Sequence, residues 1–136
     1  MGNVHDPTEH IKTDVAMNQA TLSNSANTPT YFSLANYDLA QFLVFTGART
    51  GSASLTCQMR QRIGAAGTQA NLGTAATVIT ANAVDATLYA RGADLTVASG
   101  YDRVGILITE TATANFVVGV LLLRMRARYK QSSLPS

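Results

Sequence analysis

From residue 31 to about residue 128, short runs rich in β-branched and aromatic residues are interrupted by segments of Gly, Ala, Thr and Asn. The runs are Tyr31–Leu34, Leu39–Thr46, Ala53–Arg62, Ala75–Thr80, Val84–Arg91, Arg103–Thr109 and Phe116–Arg128, and each predicts a strand. TGARTGS, GAAGTQANLGT, TAN, GADLTVASG and TETATAN between them read as turns. GAAGTQANLGT is Ala-rich, but its three glycines make a helix costly. Seven short strands without an amphipathic helix predict an all-β domain over residues 31–130, a single β-sandwich of jelly-roll or Ig-like type. Residues 1–30 develop no apolar face at either spacing and predict an extended N-terminal arm, held in place by a neighbouring subunit or another protein. Residues 131–136 form a C-terminal tail.

The pattern repeats. An offset of 64 residues brings Tyr37-Asp38 onto Tyr101-Asp102, Leu43 onto Leu107, Arg60 onto Arg124 and Arg62 onto Arg126. Both copies read as strand, Thr-Gly-Ala-rich loop, strand, so two comparable hairpins are expected. Alternation puts Ala40, Phe42 and Val44 on one face, and likewise Val104, Ile106 and Ile108. By the same correspondence Leu55, Cys57 and Met59 match Gly119, Leu121 and Leu123 as inward positions. Val118, Val120 and Leu122 then fall on an outer face ahead of Arg124, Arg126 and Arg128, while Leu43 and Phe45 add apolar groups outside the first copy. These eight are the candidate interface residues, because a strand apolar on both faces needs cover beyond one sandwich core.

Composition sharpens this reading. The chain has 136 residues, enough for one ordinary domain, with 46% hydrophobic and only 13% charged residues. Its net charge of +2 is too small to argue for nucleic acid. Between Thr13 and Tyr129 every cation is an Arg, the side chain suited to partly buried, hydrogen-bonded contacts. The alternating Arg124, Arg126 and Arg128 could meet phosphates, pair with carboxylates on a neighbouring protein, or guard an edge strand. The modest net charge suits the carboxylates better than the phosphates. No secretory signal pattern opens the chain, and its longest strongly apolar run, Phe116–Leu123, is far short of the ~20 residues a membrane-spanning helix needs.

Chemistry is sparse. His5, Asp6, Glu9 and His10 lie in the arm with no element to converge them on a metal. Cys57 has core parity, and no His occurs between residues 31 and 130 to activate it. Asp38, Asp85, Asp94 and Asp102 are dispersed, and Arg91-Gly-Ala-Asp94 reads as a strand end followed by a turn. Neither a GxGxxG nor a GxxxxGK[ST] pattern occurs. No catalytic residue, metal or cofactor is assigned. Each Tyr-Asp pair reads as the opening turn of a strand, its Asp accepting nearby backbone N–H groups.

Residues 31–129, from YFSLANYDLAQFLVFTGARTGSASLTCQMRQR through ADLTVASGYDRVGILITETATANFVVGVLLLRMRARY, resemble small structural proteins of tailed bacteriophages. The likeness is nearest to head decoration, or cement, proteins. It implies a β-sandwich core, homo-oligomerisation with a trimer favoured, and a major capsid protein as partner. It also implies synthesis in the host cytoplasm, a place on the outer capsid surface, and stabilisation by bridging capsid subunits. No small-molecule substrate, membrane or nucleic-acid partner is implied. A head-completion or tail component, or a carbohydrate- or host-binding β-module, would be the alternative; the absence of Trp argues against the sugar binder.

Overall fold

A computed structural model describes residues 11–35, 37–73, 76–81 and 85–127. The strands are β1 (Ile11–Ala26), β2 (Phe32–Ser33), β3 (Tyr37–Arg49), β4 (Leu55–Ile63), β5 (Gln69–Asn71), β6 (Thr77–Ile79), β7 (Ala86–Arg91) and β8 (Tyr101–Ala127). Single 3-10 turns at Gly92–Asp94 and Val97–Ser99 join β7 to β8, and there is no α-helix among the described residues.

The expected sandwich is not what forms. All eight strands belong to one antiparallel sheet with main path β5-β4-β8-β3-β7, while β1 and β2 pair with β8 and β6 pairs with β4. The sheet is open and curled, a half-barrel, and β8 is the reason. TETATAN was expected to turn, yet β8 runs through it for 27 residues. That segment has no Gly or Pro and three β-branched Thr, which favour extended backbone. Its polar backbone is satisfied in place: Asn115 N–H donates to Thr50 Oγ1 at 2.9 Å, and Thr50 N–H to the Asn115 carbonyl at 2.9 Å. One strand therefore passes through both halves of the molecule, and the sheet cannot divide into two.

The internal repeat takes an unexpected form. The two copies pair with each other instead of making two hairpins. β3 runs along β8 from Tyr37↔Ala127 to Arg49↔Phe116, and β4 continues from Leu55↔Glu110 to Ile63↔Tyr101. Tyr37 and Tyr101 thus stand at opposite ends of one long ladder, as a local two-fold relation between its strands requires. The expected arm follows the other flank of β8: β1 pairs from Ile11↔Met125 to Ala26↔Thr109, and β2 continues at Phe32↔Val104. Between β1 and β2, Asn27 acts as a piece of ladder. Its Oδ1 accepts Ile108 N–H at 2.7 Å and its Nδ2 donates to the Ile106 carbonyl at 3.2 Å.

The concave face is the core. Ala40, Phe42, Val44, Leu55, Cys57, Val104, Ile106 and Ile108 are buried, as alternation predicts, and Met59 packs against them. The second half of β8 departs from prediction. Phe116, Val118, Val120 and Leu122 are inward at 0–1% exposure, whereas Gly119, Leu121 and Leu123 are only half-buried. Without a turn, parity continues unbroken from Val104 to Arg124, so even-numbered positions stay inward throughout.

At the bend, Glu110 is fully buried. Its Oε2 accepts Asn24 N–H at 2.7 Å and its Oε1 accepts Ala112 N–H at 2.9 Å. Asn24 has φ 47, in the left-handed region, at a register break in β1. The carboxylate therefore satisfies donors that the irregular edge leaves without a ladder partner.

Candidate interaction surface

The unbroken parity relocates the expected interface residues. Val118, Val120 and Leu122 belong to the core, and Arg124 is also on the inner side, at 9% exposure. Its guanidinium is held internally. Nη2 donates to Asp14 Oδ2 at 2.8 Å, Nη1 donates to the Ser33 carbonyl at 2.9 Å, and the group lies 5.0 Å from the Tyr37 ring centroid and 5.5 Å from that of Phe32. Arg124 thereby clasps β1, β2 and β3 around β8. Arg126 is in β8, whereas Arg128 lies outside the described residues, as do His5, Asp6, Glu9 and His10. Leu43 is half-buried and Phe45 is 43% exposed, both on the convex face.

That convex face has two chemically distinct parts. Over β1, β8, β3 and β7 it is mainly apolar, interrupted by Gln41 and Thr87: Leu39, Leu43 and Phe45 from β3, Val117, Leu121 and Leu123 from β8. Val15 (54% exposed) joins them from β1 and Tyr89 (63% exposed) from β7. Between β1 and β3, Gly119 opposite Phe45 lies in a trench of about 320 Å³, walled by Val15, Met17, Phe45, Val117 and Leu121 and bordered by Asn18, Gln19 and Thr46, with the Gln19 backbone 3.5 Å from where a Gly119 Cβ would stand.

Over β4 and the first half of β8 the same face is basic. Arg62 stands directly opposite Arg103, and Arg60 opposite Gly105. All three are half-buried and have no carboxylate partner among the described residues. Arg62 is oriented by its neighbours: its guanidinium stacks 4.4 Å from the Tyr31 ring centroid and its Nε donates to the Gly64 carbonyl at 3.1 Å. Tyr31 reaches this place by lying over Gly105, where a Cβ would come within 2.9 Å of the Thr30 carbonyl oxygen, and its hydroxyl hydrogen-bonds Gln69 Oε1 at 2.7 Å. Placing like charges opposite one another opposes folding and favours an anionic partner. Alternation about the inward Leu55, Cys57 and Met59 puts Arg60 and Arg62 on the outer face of β4. Alternation does not join them to Arg103, because that neighbourhood depends on a pairing across 41 residues.

The other candidate groups have structural roles. Cys57 is fully buried, and burial pushes its thiol up to about 11, so it stays protonated and inert at neutral pH. Asp102 Oδ1 accepts Gly64 N–H at 2.9 Å, a backbone contact as expected for the Tyr-Asp pair, made across the ladder and not within a local turn. Asp94 Oδ2 accepts Arg91 N–H at 2.8 Å and closes the turn after β7. No group of three or more His, Cys, Asp or Glu residues among those described could hold a metal ion, and no catalytic constellation is present among them.

No family model and no curated protein matches the chain. Solved structures do. A chain in the structure of infectious bursal disease virus, Gt strain, aligns with TM-score 0.51 and 14% identity, over 85% of this chain and 33% of that one. The Gx strain gives TM-score 0.47 and 14% identity, over 85% and 32%. A chain from Bacillus endospore appendages, described as a family of disulfide-linked pili, gives TM-score 0.44 and 18% identity, over 87% and 89%. The Gt-strain alignment relates the fold to one present in a virus, and this chain spans about a third of the viral chain it matches.

Proposed function

We propose that this chain is a non-enzymatic structural protein of a virion, a decoration protein that binds the outside of a tailed-phage capsid and bridges its subunits. The carrying observation is the two-part convex face, an apolar field beside three arginines that have no acidic partner in the described chain. The arginine part docks on carboxylates of the major capsid protein, and the apolar part supports homo-oligomerisation. The viral fold relative and the sequence resemblance both favour a role in assembly. Arg60, Arg62 and Arg103 replace the Arg124 row as the residues that meet the capsid.

The test uses heads of the encoding phage prepared without this protein. Added protein is expected to co-sediment at a saturating stoichiometry and to raise the temperature at which the heads open. The Arg60→Gln/Arg62→Gln/Arg103→Gln variant should bind at least about tenfold more weakly, with a shallower salt dependence. Absence of both binding and stabilisation by the unaltered protein would refute the proposal.

A further inference from the structure

The apolar half of the convex face carries a knob and a hole at positions suited to a second copy of itself. Tyr89 pairs with Gln41, and Gly119 pairs with Phe45, so the ring and the glycine-floored trench lie on the same face. Counting registers, Tyr89 is four residues along and two strands across from Gly119, ~14 Å by ~10 Å, or ~17 Å in all. The residue midway on the intervening strand is Leu43. A two-fold axis lying in the interface above Leu43, perpendicular to the line from Tyr89 to the trench, exchanges these two positions. It sets each copy's Tyr89 over the other's trench.

We infer that the protein forms an isologous face-to-face pair through this field, with Tyr89 of each copy seated between Val15 and Phe45 of the other and Leu43 at the axis. Such a pair is two-fold, unlike the trimer implied by the resemblance. It deepens the proposed use of the apolar field, and the arginine half does not depend on it.

Three observations select a second copy as the occupant. The complementary features belong to one patch, which is what a two-fold interface demands. Among the described residues, the charges on this field lie at its margin, Arg91 beside Leu39 and Asp94 lining the same hollow as Leu39 and Tyr89, so two copies meet without like-charge repulsion across the centre. Size also fits. From Leu39 to Gly47 the three strands β1, β8 and β3 span ~30 Å by ~14 Å and β7 adds a strip of ~20 Å by ~5 Å, roughly 500 Å² in projection. Side-chain corrugation adds to that area while the curl of the sheet centres contact on the crest at Leu43, so the pair lies below the ~800 Å² per partner of a standard interface, in the range of a weak, concentration-dependent dimer.

The full chain is examined by sedimentation velocity from nanomolar to micromolar concentration, and a monomer–dimer equilibrium is expected. Tyr89→Ser should weaken the dimer at least about tenfold, and Leu43→Glu, which sets two carboxylates together at the axis, should leave monomer. Thermal unfolding of each variant confirms that it is folded; Tyr89, at 63% exposure, is outside the core. Leu43→Cys treated with a short bis-maleimide should give a covalent dimer, while unaltered protein, with only buried Cys57, should not. A monomer throughout, a trimer, or a dimer indifferent to both Tyr89→Ser and Leu43→Glu overturns the inference. Head binding by folded, monomeric Leu43→Glu would support assignment of the two halves to different partners. Loss of head binding with the dimer intact would point to failure of the capsid reading alone.

Discussion

At the residue scale, the positions that looked most reactive prove to be internal fasteners. Arg124 joins three strands through one guanidinium, and no other side chain supplies that fork of donors. Arg124→Leu is expected to cost about 2 kcal/mol, read by urea denaturation, because it removes two hydrogen bonds and the ring contacts. Asp14→Asn should cost under about 1 kcal/mol, since Asp14 is 22% exposed and Arg124 keeps Ser33 and the rings. Equal losses would mean that the ion pair alone does the fastening. Cys57 makes a pH prediction. Its thiol is raised to about 11 when folded, against 9.0 for a free thiol, so the unfolded chain ionises first as pH rises. This contribution is fully present below pH 9 and is lost between about 9 and 11. Cys57→Ala should lack that component, so the stability gap between the two proteins narrows over this window. A gap that stays constant would place the thiol in a more polar environment than the core.

At the element scale, long-range pairing decides what each segment becomes. The stretch before residue 27 has no apolar periodicity because β1 is an edge strand with little to bury. Ala16 and Leu22 are its buried apolar positions, and register breaks separate them from a simple alternation. The alternating runs of β3, β4 and β7 were legible because each has one buried face. β8 was legible as two strands only, since a turn at TETATAN and a bend there differ in what lies opposite. Gly105 shows the same dependence. Gly105→Val would drive a side chain into Thr30 and Tyr31, lift that segment from the sheet and free Arg62 from its stacking partner. Hydrogen exchange of Asn27 and Leu34 amides should accelerate by at least about tenfold while Phe42 and Val120 stay protected. Unchanged exchange at Asn27 would show that the segment is anchored without Tyr31.

At the scale of the whole molecule, the half-barrel has one face to make a core and another left for partners. Parity separates the two, so a charge introduced at neighbouring positions should behave oppositely. Val120→Asp places a carboxylate at 1% exposure and should cost more than about 4 kcal/mol, leaving no cooperative thermal transition. Phe45→Asp should keep its melting temperature within a few degrees and lose self-association. If Phe45→Asp unfolds and Val120→Asp does not, the inward face has been assigned to the wrong side.

Sequence alone determined the all-β character, the inward faces of β3, β4 and the first half of β8, and the lack of any His between residues 31 and 130. Each follows from local alternation or from residue type. It also showed that the last strand is apolar on both faces, from the unbroken run Phe116–Leu123. Tertiary structure decided the rest: one curled sheet instead of a sandwich, the repeat paired with itself, Arg124 turned inward, and Arg60, Arg62 and Arg103 gathered outside. The physical reason is that a strand's pattern encodes how many faces are buried, whereas the identity of its neighbour is set by register across the chain. A single bend in place of a turn reversed the expected parity of residues 118–124.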